Sequence, residues 1–214
     1  QELDMMKRAD LVLSYNEVEH AVIMSHTDGQ ARVMECPWVV KIPPEGPALK
    51  FRSGLSFLGS FNHTPNGEGL KWFCAEVMPL LADTEFDLSI YGSGMKDDIK
   101  ALASDMVKPV GFVEDISEAY HRHRVFVAPL LSGAGIKGKV VSALAHGIPT
   151  VLTPVAAEGI GLRNGLDCVI VEKPKDWEKA IRQLMTDTAL WNRMSKAARS
   201  YAAERFSFEQ GRAK

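Results

Sequence analysis

The chain has 214 residues, is 46% hydrophobic and 24% charged, and carries a formal net charge of −2, which is an ordinary globular composition. The balanced charge argues against general binding of nucleic acids or other polyanions. No apolar run approaches the roughly 20 residues that are needed to span a bilayer, and no signal peptide is evident. Because the chain starts at Gln1 rather than at methionine, we expect a fragment of a longer protein.

The cysteines and histidines show no metal or redox motif. Cys36, Cys74 and Cys168 are odd in number and far apart, so we interpret them as reduced, mostly buried thiols of a cytoplasmic protein. His121 and His123 flank an arginine, but no third ligand is evident nearby, and a polar helix end explains them better than a metal site. We therefore expect no bound metal.

The first 42 residues contain one small strand–helix–strand unit. The stretch "ADLVLSYNEVEHAVIM" predicts a strand, a cap at Ser14 or Asn16 and a helix, and "PWVVKI" predicts a second strand. A unit of this size cannot fold by itself, so we assign residues 1–42 to the end of a preceding domain. Residues 43–53 are rich in proline and glycine and predict an interdomain linker.

From residue 54 to residue 214, short β-rich runs alternate with helical segments. This alternation predicts an α/β fold with a doubly wound parallel sheet, right-handed crossovers and closing C-terminal helices. The run "RVFVAPL" is almost continuously apolar, as is typical of the buried centre of such a sheet. The predicted strands are 55–59, 86–92, 109–113, 124–130, 149–153 and 168–172; the predicted helices are 66–81, 95–104, 116–122, 175–185 and 189–205, with one more after the loop near residue 138.

Three glycine-containing loops follow predicted strands at the edge where sheets of this kind bind ligands. They are "GSFNHTPNG", "YGSGMKDD" and "LLSGAGIKGK". In the third loop, glycines allow the backbone to approach a ligand, and the following helix offers unpaired N–H groups and a partial positive charge. With Lys137 and Lys139 nearby, the loop predicts a phosphate site. A plain strand-to-helix loop with solvated lysines is the alternative.

These loops do not match the standard nucleotide motifs. The first strand lacks a following GxGxxG, and "YGSGMKD" lacks the third glycine. The stretch "GAGIKGK" approaches a Walker A motif, but Val140 stands where a hydroxyl must hold magnesium. Lys139, Ser142 and His146 share one helical face that could reach the sugar of a nucleotide, although a plain amphipathic helix explains the pattern equally well.

The loops in their order resemble a known family. The stretches "FLGSFNHTPNGEGLKWF", "LSIYGSG", "VGFVEDISEAY", "VFVAPLLSGAGIKGKVVSALAHGIPTVLTPVAAEGI" and "ERFSFEQ" are similar to the C-terminal half of family 4-type glycosyltransferases of the GT-B fold, in their "GAGIK" subgroup. The resemblance covers about residues 52 to 210, and "GAGIKGK…AHGIPTV…EGI" is its most specific part. Residues 1–42 resemble the end of the family's N-terminal domain.

The resemblance implies a Rossmann-like donor domain of a hexosyltransferase-type enzyme. Such a domain binds a nucleotide diphosphate sugar, and the enzyme transfers the sugar to a hydroxyl acceptor, typically with retention and without a metal or other cofactor. The carbohydrate or lipid-linked acceptor would bind the missing N-terminal domain, so this fragment would be inactive alone. The resemblance leaves open a peripheral place at the inner membrane.

The resemblance also implies a set of site residues. Lys137 would be the catalytic cation that stabilises the diphosphate leaving group. The phosphates would be held by the loop residues Ala134, Gly135 and Ile136 and by Gly59 and Ser60 after the first strand. The base would be lined by Gly111, Phe112 and Val113. The ribose would face Ser142 on the following helix.

Three positions depart from the family pattern. Ala134 and Ser142 stand where the family often has two glutamates, the second of which accepts bonds from the ribose hydroxyls. "HTPNG" replaces a lysine often found after the first strand, and His63 is a weak substitute. The main alternative is therefore a degenerate, non-catalytic binding or scaffold domain of the same fold. A GT-B epimerase or phosphorylase is disfavoured because no further acid/base groups are clearly placed.

Overall fold

The computed structural model describes residues 2–213. Residues 2–35 form two helices and two short strands, which are α1 (Glu2–Arg8), β1 (Val12–Ser14), α2 (Glu17–His26) and β2 (Val33–Glu35). The remaining strands are β3 (Leu55–Leu58), β4 (Leu88–Tyr91), β5 (Val107–Gly111), β6 (Val125–Ala128), β7 (Thr150–Leu152) and β8 (Val169–Ile170). The remaining helices are α3 (Thr64–Glu76), α4 (Asp97–Lys100), α5 (Ser117–His121), α6 (Gly138–Ala145), α7 (Pro154–Ala157), α8 (Pro174–Thr186), α9 (Thr188–Phe206) and α10 (Phe208–Ala213).

The main sheet has six parallel strands in the order β5-β4-β3-β6-β7-β8. Helices flank it, so the predicted α/β fold with a doubly wound parallel sheet is confirmed. β1 and β2 form a separate two-stranded parallel sheet. The division into residues 1–42, 43–53 and 54–214 stays a prediction.

The central strands alternate their side chains between two apolar cores, as the pleat requires. On one face, Phe57 of β3 and Val127 of β6 pack in the same core as Trp177 of α8. On the other face, Phe126 and Ala128 of β6 pack in a core with α6 and α9. Both faces of β6 are therefore covered, which explains its continuous apolar run.

Several predicted boundaries were wrong, and proline accounts for two of them. "PWVVKI" forms no strand; β2 lies upstream instead, and the amide of Val40 donates to the carbonyl of Phe206 at the end of α9 (2.7 Å). The helix predicted for 66–81 ends at Glu76, and a 3-10 turn, Met78–Leu81, follows around Pro79, which cannot donate a helical hydrogen bond. The strand predicted for 109–113 begins two residues earlier, at Val107, so that Pro109 lies inside β5. Proline is tolerated there because β5 is an edge strand.

Other differences concern short elements. The helix predicted for 95–104 is reduced to α4, and the sequence did not predict α1, α7 or α10. All three cysteines are free, with Cys168 buried and the other two half-buried. Within residues 2–213, no helix is long and apolar enough to cross a membrane, and no group of three or more His, Cys, Asp or Glu residues could hold a metal ion.

Candidate nucleotide-binding site

The sheet changes winding direction between β3 and β6. The chain leaves β3 towards β4 on one side, and it leaves β6 towards β7 on the other. Loops that diverge in this way open a crevice at the carboxyl edge of the sheet, where ligands of doubly wound folds bind. The predicted residues Gly59 and Ser60 begin the loop after β3, and the predicted residues 134–137 end the loop after β6. The structure therefore brings these two groups to one crevice.

A close backbone contact fixes the start of this crevice. Gly92 has a φ of +144°, and a Cβ on it would collide with the carbonyl oxygen of Gly59. The amide of Gly59 donates to the carbonyl of Tyr91 (3.1 Å). Only glycine accommodates this conformation and this contact, so the ends of β3 and β4 are held tightly together.

Lys139 supplies a cation inside the crevice. It lies in the first turn of α6, and its ammonium donates to the side-chain oxygen of Asn66 on α3. Its Nζ lies 4.8 Å from the ring centroid of Phe57, and a Cβ on Gly59 would lie 3.0 Å from the same nitrogen. Within residues 2–213, no carboxylate forms an ion pair with Lys139. The crevice therefore holds an amine that, when protonated, has no protein anion among these residues to balance its charge.

Asn66 orients this lysine from the other side of the crevice. Asn66 is buried, and its Nδ2 donates to the carbonyl of Ser60 (2.7 Å). That bond leaves its Oδ1 to accept from Lys139. One asparagine thus ties the loop after β3 to the start of α6.

Burial lowers the pKa of Lys139 from 10.5 to about 7, and the charge of Lys137 lowers it further. The unfolded chain keeps the ordinary value, so between about pH 7 and pH 10 it binds more protons than the folded chain does. We therefore expect the free energy of unfolding to rise with pH across this window. Urea unfolding of the wild type and of Lys139→Met at pH 7 and at pH 9.5 would measure the effect. In the variant, the free energy of unfolding should increase less between the two pH values, because the contribution of Lys139 is absent. An identical increase in both proteins would contradict the lowered pKa.

Lys137, the predicted catalytic cation, precedes α6 directly and is itself buried. Its ammonium donates to the carbonyl of Gly135 (2.6 Å) and lies 3.6 Å from a carboxylate oxygen of Glu158. Glu158 is mostly exposed, so this ion pair is weak in water. Lys137 therefore stabilises the loop in the absence of a ligand.

The loop between β6 and α6 is open where a ligand would approach. Gly135 has a φ of +74°, and a Cβ on it would meet nothing within 4 Å. Ala134 is exposed and Ile136 is half-buried. The first amides of α6 have no partner one turn earlier, and together with the helix dipole they favour an anion at this point.

The residues predicted to line the base lie apart from this point. Gly111 ends β5, and Phe112 and Val113 follow it. β5 is an edge strand two positions from β3. At about 4.8 Å for each strand, these three residues lie roughly 10 Å from the end of β3, along the same edge of the sheet. Phe112 is 71% exposed, so its ring is available for stacking.

Ser142 lines a separate cavity of about 490 Å³ between residues 40–44, α5 and α6. His121 and His146 line the same cavity, with His121 Nε2 and His146 Nδ1 3.0 Å apart. Burial lowers the pKa of His146 to about 4, and the charge of His121 contributes to the shift. Burial also lowers the pKa of His121, so near neutral pH both rings are uncharged and an N–H of one can donate to the other.

Sequence reasoning did not include Asn66 and Lys139 among the site residues. The sequence places Lys139 beside the predicted phosphate loop and on a polar face of the following helix, but nothing local distinguishes it from an ordinary exposed lysine. The signal that could have found the pair is the recurrence of polar residues at the starts of the two helices that follow β3 and β6.

With this geometry established, comparison with known proteins identifies the family. The model of the family described as glycosyl transferases group 1 matches residues 52–187. The chain belongs to this family. The expected resemblance to GT-B glycosyltransferases is thereby confirmed.

Individual proteins that are similar to this group 1 glycosyltransferase chain have low sequence identity to it and are longer than it. An uncharacterized 44.6 kDa protein in the cps region of Klebsiella pneumoniae is 26% identical over an alignment of 125 residues, and the match covers 53% of this chain and 32% of that protein. A mutant TarM from S. aureus, solved with fondaparinux, alpha-GlcNAc-glycerol and UDP, is 16% identical with a TM-score of 0.84. The pneumococcal O-GlcNAc transferase GtfA, solved with UDP and GlcNAc, is 15% identical with a TM-score of 0.79.

These alignments cover 99% of this chain but only 44% of TarM and 45% of GtfA. The chain therefore spans less than half the length of these relatives. At such identities the structural likeness shows the shared fold.

Proposed function

We propose that this chain is the donor-binding half of a hexosyltransferase that uses a nucleotide diphosphate sugar. The observation that carries the proposal is Lys139, an amine without a carboxylate partner in the described part of the chain, which lies in the crevice between β3 and β6, beside the first turn of α6. Burial lowers its pKa to about 7, and a diphosphate in the crevice would supply the opposite charge that keeps the ammonium protonated.

The proposed chemistry is stabilisation of the leaving group. As the bond between sugar and diphosphate breaks, negative charge builds on the diphosphate, and a preorganised cation stabilises that charge. Lys139 already points into the crevice, and Lys137 lies two residues before it with an ammonium that now bonds to loop carbonyls. In the proposed complex, Lys137 exchanges those weak partners for the diphosphate.

We propose UDP as the nucleotide, because TarM and GtfA were both solved with UDP. The base would lie near Phe112, and the ribose would lie in the cavity that Ser142 lines, beside α5 and α6. The hydroxyl acceptor, a carbohydrate or a lipid-linked molecule, would bind a part of the protein outside this chain. Retention and independence of a metal ion belong to the proposal because the family resemblance implies them.

A non-catalytic domain of the same fold is the second candidate, and Ser142 favours it. A serine is shorter than the glutamate of the family pattern and carries no charge, so it would hold a ribose more weakly. The position of Lys139 favours the first candidate, because this residue provides the cation that the loop after β3 lacks. Binding of a nucleotide separates the two.

Replacing Lys137 with alanine tests the proposal by calorimetric titration of the chain with UDP, GDP and ADP. We expect the wild type to bind UDP in preference to the other two nucleotides. Lys137→Ala should weaken UDP binding by about 1–3 kcal/mol, the range for a charge-assisted hydrogen bond lost from a site.

Lys175→Ala is the matched control, since Lys175 is an exposed lysine of α8, and its affinity should equal that of the wild type. Equal UDP affinity in the wild type and in folded Lys137→Ala would remove Lys137 from the anion site. Absence of binding to all three nucleotides would favour the non-catalytic candidate.

A further inference from the structure

A second cavity, of about 760 Å³, lies beneath residues 42–52, at the C-terminal end of α6, whereas the crevice lies at the first turn of this helix. Its walls are residues from the segment 42–52, the end of α6 at His146 and Gly147, and one face of α9. The crevice lies at the start of α6, and the eight residues of this helix separate the two places by about 12 Å, at about 1.5 Å for each residue. The cavity is therefore distinct from the proposed diphosphate site.

Arg52 is the unusual group in this cavity, because it is only 5% exposed and forms no ion pair within residues 2–213. Its Nε donates to the carbonyl of Pro47 (2.9 Å), and its Nη1 donates to the carbonyl of Tyr120 (2.7 Å). The guanidinium carbon lies 5.2 Å from the ring centroid of Trp191. Burial lowers the pKa of Arg52 to about 10, so the group keeps its charge at neutral pH.

One nitrogen of Arg52 remains available. Within the part of the chain that the structure describes, its Nη2 has no hydrogen-bond partner. A Cβ on Gly46 would lie 2.6 Å from this nitrogen and 2.7 Å from the ring of His121. The absence of a side chain at Gly46 therefore leaves the nitrogen uncovered at the cavity wall.

Two further cations line the same cavity. Arg199 donates to the carbonyls of Ala145 (3.0 Å) and Pro43, and Lys196 is exposed at the surface of α9. Among the described residues that line the cavity, the only carboxylate is that of Glu45, which is exposed. The cavity therefore carries a net positive charge.

From this arrangement we propose that the cavity binds a phosphorylated small molecule. Its phosphate would contact Arg52, Arg199 and Lys196, since guanidinium groups match phosphate oxygens in charge and geometry. A volume of about 760 Å³ lies within the range of small-molecule sites, about 300–1,000 Å³, and exceeds what one phosphate fills. The ligand therefore carries an organic part, as a sugar phosphate does.

Calorimetric titration with glucose 6-phosphate tests this proposal, in the absence of UDP, because UDP also carries phosphate and would compete for the cavity. The informative variant is Lys196→Gln, because Lys196 is exposed and its replacement should leave the fold intact. We expect the wild type to bind the sugar phosphate and Lys196→Gln to bind it about five- to tenfold more weakly, as for loss of one charged contact.

Two control variants separate the possible results. Lys175→Gln removes an exposed lysine of α8 outside the cavity, and Lys139→Met alters only the crevice; both should bind glucose 6-phosphate as the wild type does. No binding to the wild type, or equal affinity in Lys196→Gln and the wild type, would overturn the proposal. Since the binding is measured at the cavity, its failure leaves the UDP titration of the crevice unaffected.

Discussion

Lys139→Met is expected to weaken UDP binding by about 10- to 100-fold, as for loss of a charge-assisted hydrogen bond of about 1.5–3 kcal/mol. Methionine keeps much of the length of the side chain and its contact with the ring of Phe57. It removes the ammonium that donates to Asn66 and that we place against the diphosphate. Calorimetric titration of both proteins with UDP at pH 7 measures the difference.

The same variant should be folded and at least as stable as the wild type near pH 7. A partly buried ammonium without an ion pair costs free energy, and an apolar side chain does not carry this cost. Lys175→Met is the matched control and should change neither UDP affinity nor stability. If Lys139→Met bound UDP as tightly as the wild type while Lys137→Ala bound it weakly, Lys137 alone would be the cation of the site.

Gly92→Ala is expected to cost about 3 kcal/mol or more of stability. The φ of +144° lies in a region that is essentially open only to glycine. The new Cβ would also collide with the carbonyl of Gly59, so the ends of β3 and β4 would have to separate. Urea unfolding of the variant and the wild type measures the loss.

Gly165→Ala is the control for this experiment. Gly165 also has a positive φ, +79°, but a Cβ on it would meet nothing within 4 Å. Its replacement should therefore cost only the strain of the left-handed conformation, about 1 kcal/mol. Equal losses in the two variants would show that the contact between β3 and β4 does not limit stability.

The sequence predicted the fold because the relevant signals are local. Apolar runs such as the one at β6 and the intervening helical periodicity specify a parallel α/β sheet without any long-range information. Boundaries were less well predicted where a single residue decides them. Pro79 ends a regular helix, and the segment after Pro37 bonds to the end of α9, a partner that lies far away in sequence.

The candidate site was predicted only in part, for the same physical reason. The glycine-rich loop before α6 and the lysines in it are visible in sequence. The position of Lys139 inside the crevice is not, because it depends on Asn66, which lies 73 residues earlier on another helix. Likewise, the contact between His121 and His146 spans 25 residues and follows from the packing of α5 against α6.

A crystal structure of the chain with UDP tests the central claim most directly. The account predicts the diphosphate in the crevice between β3 and β6, against the first turn of α6 and within hydrogen-bonding distance of Lys139 Nζ. A diphosphate bound elsewhere, with the crevice closed or empty, would contradict the assignment of this crevice as the donor site.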